Sequence, residues 1–280
     1  MNSHTRNSQS SWKYGQPQTA FISGGGSGLG LNIAQNLIRE GVNVALFDRD
    51  VSPSVISALK PLALHNNQKV ELYIVDITNP EALDNAVQSA VRDVGSPDLA
   101  LNSAGILRTA TFSELSHETF VQVINVNLIG SRNFASSVLQ HMQPGGHLVL
   151  VASLAGIIGS YTHAAYAASK FGVVGLAEVL RLELKLKGID VSVICPGEID
   201  TPMLKQERIE GSPITESMND FAGVLTVEQA ISGIMKGLHK RQYMITPGFR
   251  AKMTREMARK AMTLVHWIAD GKLAKAYSKQ

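Results

Sequence analysis

The sequence is short of cysteine and of long apolar runs, and each shortage excludes a class of protein. Cys195 is the one cysteine among 280 residues, so an internal disulfide framework is excluded and a reducing compartment such as the cytoplasm is expected. We interpret Cys195 as a small buried side chain, with a catalytic thiol as the weaker alternative. Apolar runs such as Leu148–Ala152 are far shorter than the roughly 20 residues that span a bilayer. The sequence therefore predicts no transmembrane helix.

Basic residues are not in excess along the whole chain, which disfavours a nucleic-acid-binding protein. The net charge is +3, but residues 249–280 contain eight basic and two acidic residues, a net +6 that leaves −3 for the rest. No cluster of His, Cys and Asp has the spacing of a metal site, so no metal is expected. Residues 1–17 are rich in Ser, Asn and Gln and have no apolar segment typical of a secretion signal, which predicts a disordered extension.

Short aliphatic runs alternate with longer segments of helical period, the pattern of a parallel sheet covered on both faces. The sequence predicts an α/β fold of the Rossmann type, a doubly wound sheet of about seven strands in a single domain over residues 18–247. The predicted strands are Thr19–Ser23, Asn43–Phe47, Val70–Val75, Leu99–Asn102, His147–Ala152, Asp190–Cys195 and Tyr243–Ile245. The predicted helices are Leu29–Glu40, Pro80–Val94, His117–Gln140, Ala164–Lys187 and Val227–Lys240.

Two segments fall outside this alternation. Residues 202–226 contain Gly211, Pro213 and Gly223, and we expect an insertion that covers a site. In residues 248–280 the apolar side chains Met253, Met257, Ala261, Val265 and Ile268 recur at helical spacing among basic residues. This predicts a basic amphipathic helical tail.

A glycine-rich turn, Ser23-Gly24-Gly25-Gly26-Ser27-Gly28-Leu29-Gly30, joins the first predicted strand to the first predicted helix. Glycines there permit a tight turn, and the amides at a helix N-terminus favour the negative charge of a diphosphate. No Lys-Ser/Thr pair follows the glycines, which disfavours a nucleotide-triphosphate loop. The turn therefore predicts a dinucleotide site.

Asp48 lies eighteen residues beyond Gly30, at the end of the second predicted strand. An acidic group at about that offset accepts hydrogen bonds from the adenosine ribose and repels a 2′-phosphate. This favours NAD over NADP. Arg49 follows immediately and could compensate for the charge, so NADP is not excluded, and a solvated turn aspartate remains the alternative.

Tyr166 and Lys170 are four residues apart in a predicted helix, and Ser153 lies thirteen residues before the tyrosine at the end of a predicted strand. Positions i and i+4 share one helix face, so both side chains can point into the crevice at the strand ends. A free tyrosine titrates near pH 10, and a neighbouring ammonium would lower the pKa of Tyr166. The trio predicts proton transfer at a hydroxyl group.

These motifs, taken in their order, resemble those of the short-chain dehydrogenases/reductases over residues 18–247. The glycine pattern matches at Gly24, Gly28 and Gly30, and the catalytic pattern at Asn127, Ser153, Tyr166 and Lys170. Ser103 replaces a usual asparagine in Asn102-Ser103-Ala104-Gly105, which affects a local hydrogen bond of the sheet more than the chemistry. The resemblance implies these cofactor contacts: Gly24, Ser27, Gly28, Leu29, Gly30, Asp48, Arg49, Asp76, Ile77, Asn102, Ala104, Gly105, Tyr166, Lys170, Pro196, Gly197, Ile199 and Thr201.

The resemblance further implies reversible hydride transfer between NAD(P) and a secondary alcohol or ketone. Tyr166 would exchange the hydroxyl proton, and Ser153 would bind the same oxygen. Lys170 would hold the nicotinamide ribose, and Asn127 would hold a water that links Lys170 to solvent. A homodimer or homotetramer, paired through the two long central helices, is expected from the resemblance alone.

The substrate is expected to be a small, mostly apolar alcohol or ketone, because Leu154, Gly156, Ile157, Ile158 and Tyr161 lie between Ser153 and Tyr166. The tail at residues 249–268 has three interpretations: packing on the domain or a sister subunit, a lid over a lipid-like substrate, or peripheral contact with a membrane. Two alternatives to the enzyme remain, a dinucleotide sensor or scaffold without turnover and a membrane-bound protein that acts through its tail.

Overall fold

The computed structural model describes residues 12–212, 214–216 and 223–277. Its centre is a seven-stranded sheet in the order β3-β2-β1-β4-β5-β6-β9, with every neighbouring pair parallel. The strands of this sheet are β1 (Thr19–Ser23), β2 (Asn43–Asp48), β3 (Val70–Ile74), β4 (Leu99–Asn102), β5 (His147–Val151), β6 (Asp190–Ile194) and β9 (Met244–Ile245). The predicted doubly wound α/β fold is confirmed. Two further short strands, β7 (Glu198–Ile199) and β8 (Val224–Leu225), form a separate parallel pair.

Helices cover both faces of the sheet, because successive side chains of a buried strand point to opposite sides. The helices are α1 (Gly28–Arg39), α2 (Pro53–Leu59), α3 (Pro80–Asp93), α4 (His117–Ile124), α5 (Gly130–Leu139), α6 (Ala164–Lys185), α7 (Pro202–Glu210), α8 (Val227–His239), α9 (Phe249–Lys260) and α10 (Met262–Tyr277). Phe47 of β2 packs in one core with α3, α5 and α6. Leu46 packs in the other core with α1 and α8. Among the described residues, no helix is both long and apolar enough to cross a bilayer.

The predicted boundaries hold to within two residues, with one interruption. The helix predicted over His117–Gln140 is not continuous: residues Asn125–Ile129 form a π-helical turn between α4 and α5. Such wide turns occur often at functional sites. The side chain of Asn127 lies within this turn.

The N-terminal extension ends earlier than predicted, because Trp12 is part of the fold. Its ring is buried, and its indole nitrogen donates a 2.9 Å hydrogen bond to Glu40 Oε2. The ring centre also lies 4.3 Å from that of His239. Disorder over residues 1–17 is therefore wrong for residues 12–17, and the prediction for residues 1–11 lies outside the described residues.

The C-terminal tail consists of two helices rather than the single amphipathic helix expected over residues 249–268. Ala261 leaves the helical conformation, with φ −145° and ψ 51°, and separates α9 from α10. Ahead of the tail, the predicted insertion at 202–226 contains α7 and β8 in its described part. The side chains of Leu204 and Glu207 on α7 are buried.

Candidate active site

A cavity of about 470 Å³ opens at the carboxyl ends of the strands, beside the point between β1 and β4 where the strand order reverses. Crevices at this point are the usual ligand sites of doubly wound sheets. The cavity is lined by the residues that directly follow four of the strands, Gly24, Arg49, Ser103 and Ala152, and by Pro196, two residues after the end of β6. All predicted cofactor and catalytic residues line it except Gly30, Asn102 and Asn127, which lie behind its wall.

The glycine-rich turn is shaped by close contacts that only glycine tolerates. Gly24 has φ +64°, and a Cβ there would lie 2.5 Å from the backbone nitrogen of Ala104. A Cβ on Gly30 would lie 2.2 Å from the carbonyl oxygen of Gly24. At Gly28, with φ +53°, no atom lies within 4 Å of an added Cβ, so this part of the turn is open. The N-terminus of α1 has no side-chain cap, which leaves its amides available to an anion.

The end of β2 supplies Asp48 at the wall of the same cavity. Its Oδ2 accepts a 2.9 Å hydrogen bond from the amide of Gly26, so the carboxylate is held against the glycine turn. Arg49 points to the next strand instead, where its Nη1 lies 3.8 Å from Asp76 Oδ2. The carbonyl of Ile77 is held by Asn133 Nδ2 at 3.0 Å. These residues fit the adenosine half of a dinucleotide.

A buried chain of hydrogen bonds connects the strand ends to the π-helical turn. Ser23 donates to Asn102, whose Nδ2 donates to Ser131 Oγ at 2.6 Å. Ser131 in turn donates to the backbone oxygen of Asn127 at 2.5 Å. The amide of Ser103 still bonds the carbonyl of Ser23, at 3.0 Å. The departure from the family pattern at Ser103 therefore leaves this backbone connection intact.

The side chain of Asn127 is buried and is held in place by hydrogen bonds. Its Oδ1 accepts from the amide of Ile106 at 2.8 Å, and its Nδ2 donates to the Ile106 carbonyl and to Ser169 Oγ, both at 2.9 Å. A Cβ on Gly105 would lie 3.2 Å from Asn127 Oδ1 and 3.4 Å from Lys170 Nζ. Asn127 and Lys170 thus converge on the same glycine.

Ser153, Tyr166 and Lys170 meet at the cavity as predicted. Ser153 lies two residues after the end of β5, in extended conformation, and its side chain is close enough to that of Tyr166 to oppose the rise of the tyrosine pKa. Tyr166 and Lys170 lie one turn apart near the start of α6. The ammonium group donates a 3.0 Å hydrogen bond to the carbonyl oxygen of Val151. The group can therefore place a hydroxyl, a phenol and an ammonium around one substrate oxygen and a ribose.

In the protein without a bound cofactor, the pKa of Tyr166 differs from the value expected for a tyrosine beside Lys170. Burial raises the pKa of Tyr166 to about 12; the hydrogen bond with Ser153 opposes this rise, and the charge of Glu207 adds to it. Burial likewise lowers the pKa of Lys170 to about 8. A net lowering of the tyrosine pKa is not found in this state, because loss of water around the phenol dominates.

The segment after β6 closes the site from the side. The carbonyl of Pro196 accepts from the amide of Leu154 at 2.8 Å, which fixes this segment to the residue after Ser153. Ile199 is buried in β7, and Thr201 begins α7. Both line the cavity, together with Gly197.

Several lining residues were not identified as site residues from the sequence. The tail contributes Thr254, Met257, Val265, Ile268, Ala269 and Lys272, and the segment before α6 and α7 itself contribute His163, Leu204 and Glu207. The helical spacing of Met257, Val265 and Ile268 was the available signal. Of the five residues expected between Ser153 and Tyr166, Leu154 and Ile158 line the cavity. Gly156, Ile157 and Tyr161 do not, and a Cβ on Gly156 would lie 2.6 Å from the carbonyl oxygen of Lys170.

The chain is similar in sequence to known reductases. The family model for short chain dehydrogenases matches residues 18–211. The 3-oxoacyl-[acyl-carrier-protein] reductase FabG of Chlamydia trachomatis is 31% identical over 206 residues, which make up 70% of this chain and 83% of that protein. The 3-ketodihydrosphingosine reductase of Mus musculus is 30% identical over 221 residues, 77% of this chain and 66% of that protein.

Solved structures agree with this relationship. Levodione reductase superposes with a TM-score of 0.75 at 25% identity, over 85% of this chain and 97% of that one. A 3-oxoacyl-[acyl-carrier protein] reductase from Brucella melitensis in complex with NAD gives a TM-score of 0.71 at 25% identity, over 83% and 96% of the two chains. The chain therefore belongs to the short-chain dehydrogenase/reductase family, and it is an NAD(P)-dependent oxidoreductase that acts on hydroxyl and keto groups.

Proposed function

We propose that this enzyme interconverts a hydrophobic, lipid-like ketone and its secondary alcohol. The observation that carries the proposal is the apolar wall beyond Ser153 and Tyr166, where six side chains from four segments meet: Leu154, Ile158, Leu204, Met257, Val265 and Ile268. An apolar wall stabilises a bound alkyl chain by removing it from water. In this proposal residues 18–247 form the catalytic domain, and residues 248–280 form a lid over the substrate.

We assign the chemical steps to the residues that meet at the cavity. Tyr166 exchanges a proton with the substrate oxygen, and Ser153 hydrogen-bonds that oxygen as its charge develops. Lys170 binds the nicotinamide ribose, and Asn127 supports the path from Lys170 to solvent. The dinucleotide supplies or accepts the hydride.

We propose NAD(H) as the preferred cofactor, with NADP(H) not excluded. The carboxylate of Asp48 stays at the cavity wall because the Gly26 amide holds it there, and a 2′-phosphate would meet this charge. Arg49, the residue that could compensate, lies 3.8 Å from Asp76 and is thereby partly engaged. An acidic residue in this position favours the free ribose hydroxyl.

A peripheral membrane contact through the tail is a second proposal, which a specific observation favours. The outer surface of the tail exposes Phe249 at 81%, Trp267 at 73% and Leu264 at 47%, while Val265 and Ile268 face the cavity. The same segment contains the basic residues Arg250, Lys252, Arg259, Lys260, Lys272 and Lys275. Exposed aromatic and aliphatic groups among basic residues are typical of helices that lie on anionic lipid. A lipid-like substrate could then enter directly from the bilayer.

We also propose a homodimer or homotetramer in the cytoplasm. Helix α6 exposes Phe171, Val179 and Leu182, and its C-cap residue Leu186 is exposed too; the four recur at helical spacing along one face. An exposed apolar face of this kind favours burial against a second copy. The cytoplasmic location stays a prediction that the single cysteine supports.

The proposed reaction is tested by mixing the full-length protein with NADH or NADPH and ketones of increasing alkyl chain length. We expect consumption of reduced cofactor, a higher kcat/KM with NADH, and a rise in kcat/KM with chain length. Cofactor binding without turnover of any ketone or alcohol would instead support a dinucleotide sensor. Sedimentation with anionic liposomes tests the membrane contact, and equal binding by the wild type and Trp267→Ala would exclude Trp267 from it.

A further inference from the structure

One buried pair of polar side chains in the cavity wall, a histidine and a glutamate, is not used by the reaction assigned above. Glu207 of α7 and His163, the residue before α6, are 9% and 3% exposed. His163 Nε2 lies 3.0 Å from Glu207 Oε1. Both side chains line the cavity, on the side where the substrate oxygen would lie.

The pair lies close to the reacting group. The ring centres of His163 and Tyr166 are 6.0 Å apart, and the charge of Glu207 contributes to the raised pKa of Tyr166. A substrate group in contact with Glu207 would therefore be attached to a substrate carbon close to the one that exchanges the hydride.

The carboxylate is expensive to bury beside the apolar wall formed by Leu154, Ile158, Leu204, Met257, Val265 and Ile268. Buried ion pairs give little net stability compared with apolar side chains of similar size, so fold stability alone does not account for this one. An ionised carboxylate can accept about four hydrogen bonds. Of the residues that the structure describes, His163 is the one ion-pair partner of Glu207. Glu207 thus retains acceptor capacity at the cavity.

His163 is held rigidly as the partner of this carboxylate. Thr162, the residue before it, has φ +64°, a conformation that non-glycine residues seldom adopt outside functional positions. The Thr162 hydroxyl lies 2.9 Å from that of Thr215, and the Thr162 carbonyl accepts from the amide of Ala110 at 3.1 Å. Glu207 Oε1 is the acceptor that faces His163 Nε2, although the two atoms lack the alignment of a hydrogen bond in this arrangement.

We propose that Glu207 recognises a second polar group of the substrate, a hydrogen-bond donor on a carbon adjacent or near to the reacting carbonyl, and that His163 is its positioning residue. The donor is a hydroxyl or an ammonium group. This inference rests on the proposed function, since it assumes that the substrate occupies the apolar side of the cavity.

The test measures binding of unreactive ligands and so does not depend on turnover. The full-length protein is saturated with NADH, and four long-chain secondary alcohols are titrated by calorimetry. The carbon next to the carbinol carries hydrogen, methoxy, hydroxyl or amino. We expect the hydroxyl and amino ligands to bind at least about tenfold more tightly than the other two, as a hydrogen bond to a charged acceptor would give. A preference for the amino ligand over the hydroxyl one would identify the donor as ammonium.

Variants of Glu207 and His163 then test whether these two residues cause the preference for ligands that carry a hydrogen-bond donor. In Glu207→Gln the advantage of the amino ligand should fall to about threefold or less, and in His163→Asn it should be reduced. Glu210→Gln, on the exposed side of the same helix, is the matched control and should retain the wild-type ratio. Thermal unfolding and NADH affinity show whether each variant is folded. Since each ratio compares ligands within one variant, a general loss of affinity cancels.

The outcomes separate this inference from the proposed function. Equal ratios in the wild type and a folded Glu207→Gln would overturn the role of Glu207, even if all the ketones turn over. Retained selectivity without turnover of the matching ketones would support the subsite and overturn the proposed reaction. Absence of binding by all four ligands would overturn both.

Discussion

The ammonium nitrogen of Lys170 lies 5.6 Å from the centre of the Tyr166 ring, and it donates its hydrogen bond to the Val151 carbonyl instead of to the phenol. The two groups are therefore neighbours without direct bonding. The lysine can act on the tyrosine through its charge while its remaining protons stay available to a ribose. A phenol with a raised pKa stays protonated near neutral pH, which is the form that reduction of a ketone requires.

Replacement of the phenol should abolish turnover without loss of the cofactor. In Tyr166→Phe we expect kcat to fall by about 10²–10⁴-fold, the usual contribution of a positioned acid or base. NADH affinity, measured by fluorescence, should stay within about twofold, because the ring and Lys170 remain. Turnover close to that of the wild type would remove Tyr166 from the proton transfer.

A methyl group on Gly30 should disrupt the glycine turn. In Gly30→Ala the added Cβ meets the Gly24 carbonyl at 2.2 Å, and we expect the free energy of unfolding to fall by about 1–3 kcal/mol. NADH affinity should fall as well, since Gly24 must shift. Gly271→Ala is the control, because no atom lies within 4 Å of its added Cβ on α10. Urea denaturation and NADH titration compare the two variants, and equal behaviour would contradict the assigned contact.

Removal of the carboxylate at the end of β2 should relax the choice of cofactor. In Asp48→Ser a hydroxyl can still accept from Gly26, but no charge opposes a 2′-phosphate. The ratio of kcat/KM with NADPH to that with NADH should rise by about tenfold or more, equivalent to about 1.4 kcal/mol. An unchanged ratio would assign the choice of cofactor to another residue.

Neutralising Glu207 should shift the pH dependence of alcohol oxidation. The charge of Glu207 raises the pKa of Tyr166, and oxidation requires the phenolate. In Glu207→Gln the rising limb of log kcat against pH should therefore move to lower pH, because loss of a negative charge favours the phenolate. Glu210→Gln should keep the wild-type profile. A shift to higher pH in Glu207→Gln would contradict the electrostatic role.

His147 should make the fold sensitive to acid far from the site. Burial lowers the pKa of His147 to about 3, and the charge of Arg241 acts in the same direction. Between pH 6.5 and this value the unfolded chain binds a proton that the folded protein does not, so stability falls with falling pH. From pH 7 to pH 5 the loss is about 2 kcal/mol. In His147→Gln this part should vanish, so that urea denaturation shows a shallower acid dependence than in the wild type.

The sequence predicted the elements whose signals are local. Strand ends placed Gly24, Asp48 and Ser153 at one edge of the sheet, and the i, i+4 rule brought Tyr166 and Lys170 together. Each of these inferences depends on periodicity or on the parallel arrangement of strands, which distant residues do not alter.

The features that escaped prediction depend on contacts between distant segments. Residues 125–129 contain no glycine or proline to mark the break; the interruption accompanies bonds from Asn127 to Ile106 and Ser169. Glu207 belongs to a polar stretch whose composition suggests exposure, whereas in the structure the side chain is buried beside His163. Likewise the raised pKa of Tyr166 is a consequence of burial, which spacing does not reveal.

The π-helical turn at Asn125–Ile129 makes the chain length in this region critical. Each residue of an α-helix advances the direction of its side chain by about 100°. The wide turn holds one residue more than a regular turn, and deleting that residue would restore regular winding and turn Asn127 away from its bonds to Ile106 and Ser169. Natural or engineered length variation should consequently be absent from this stretch of any working homologue, however freely its surface side chains are exchanged.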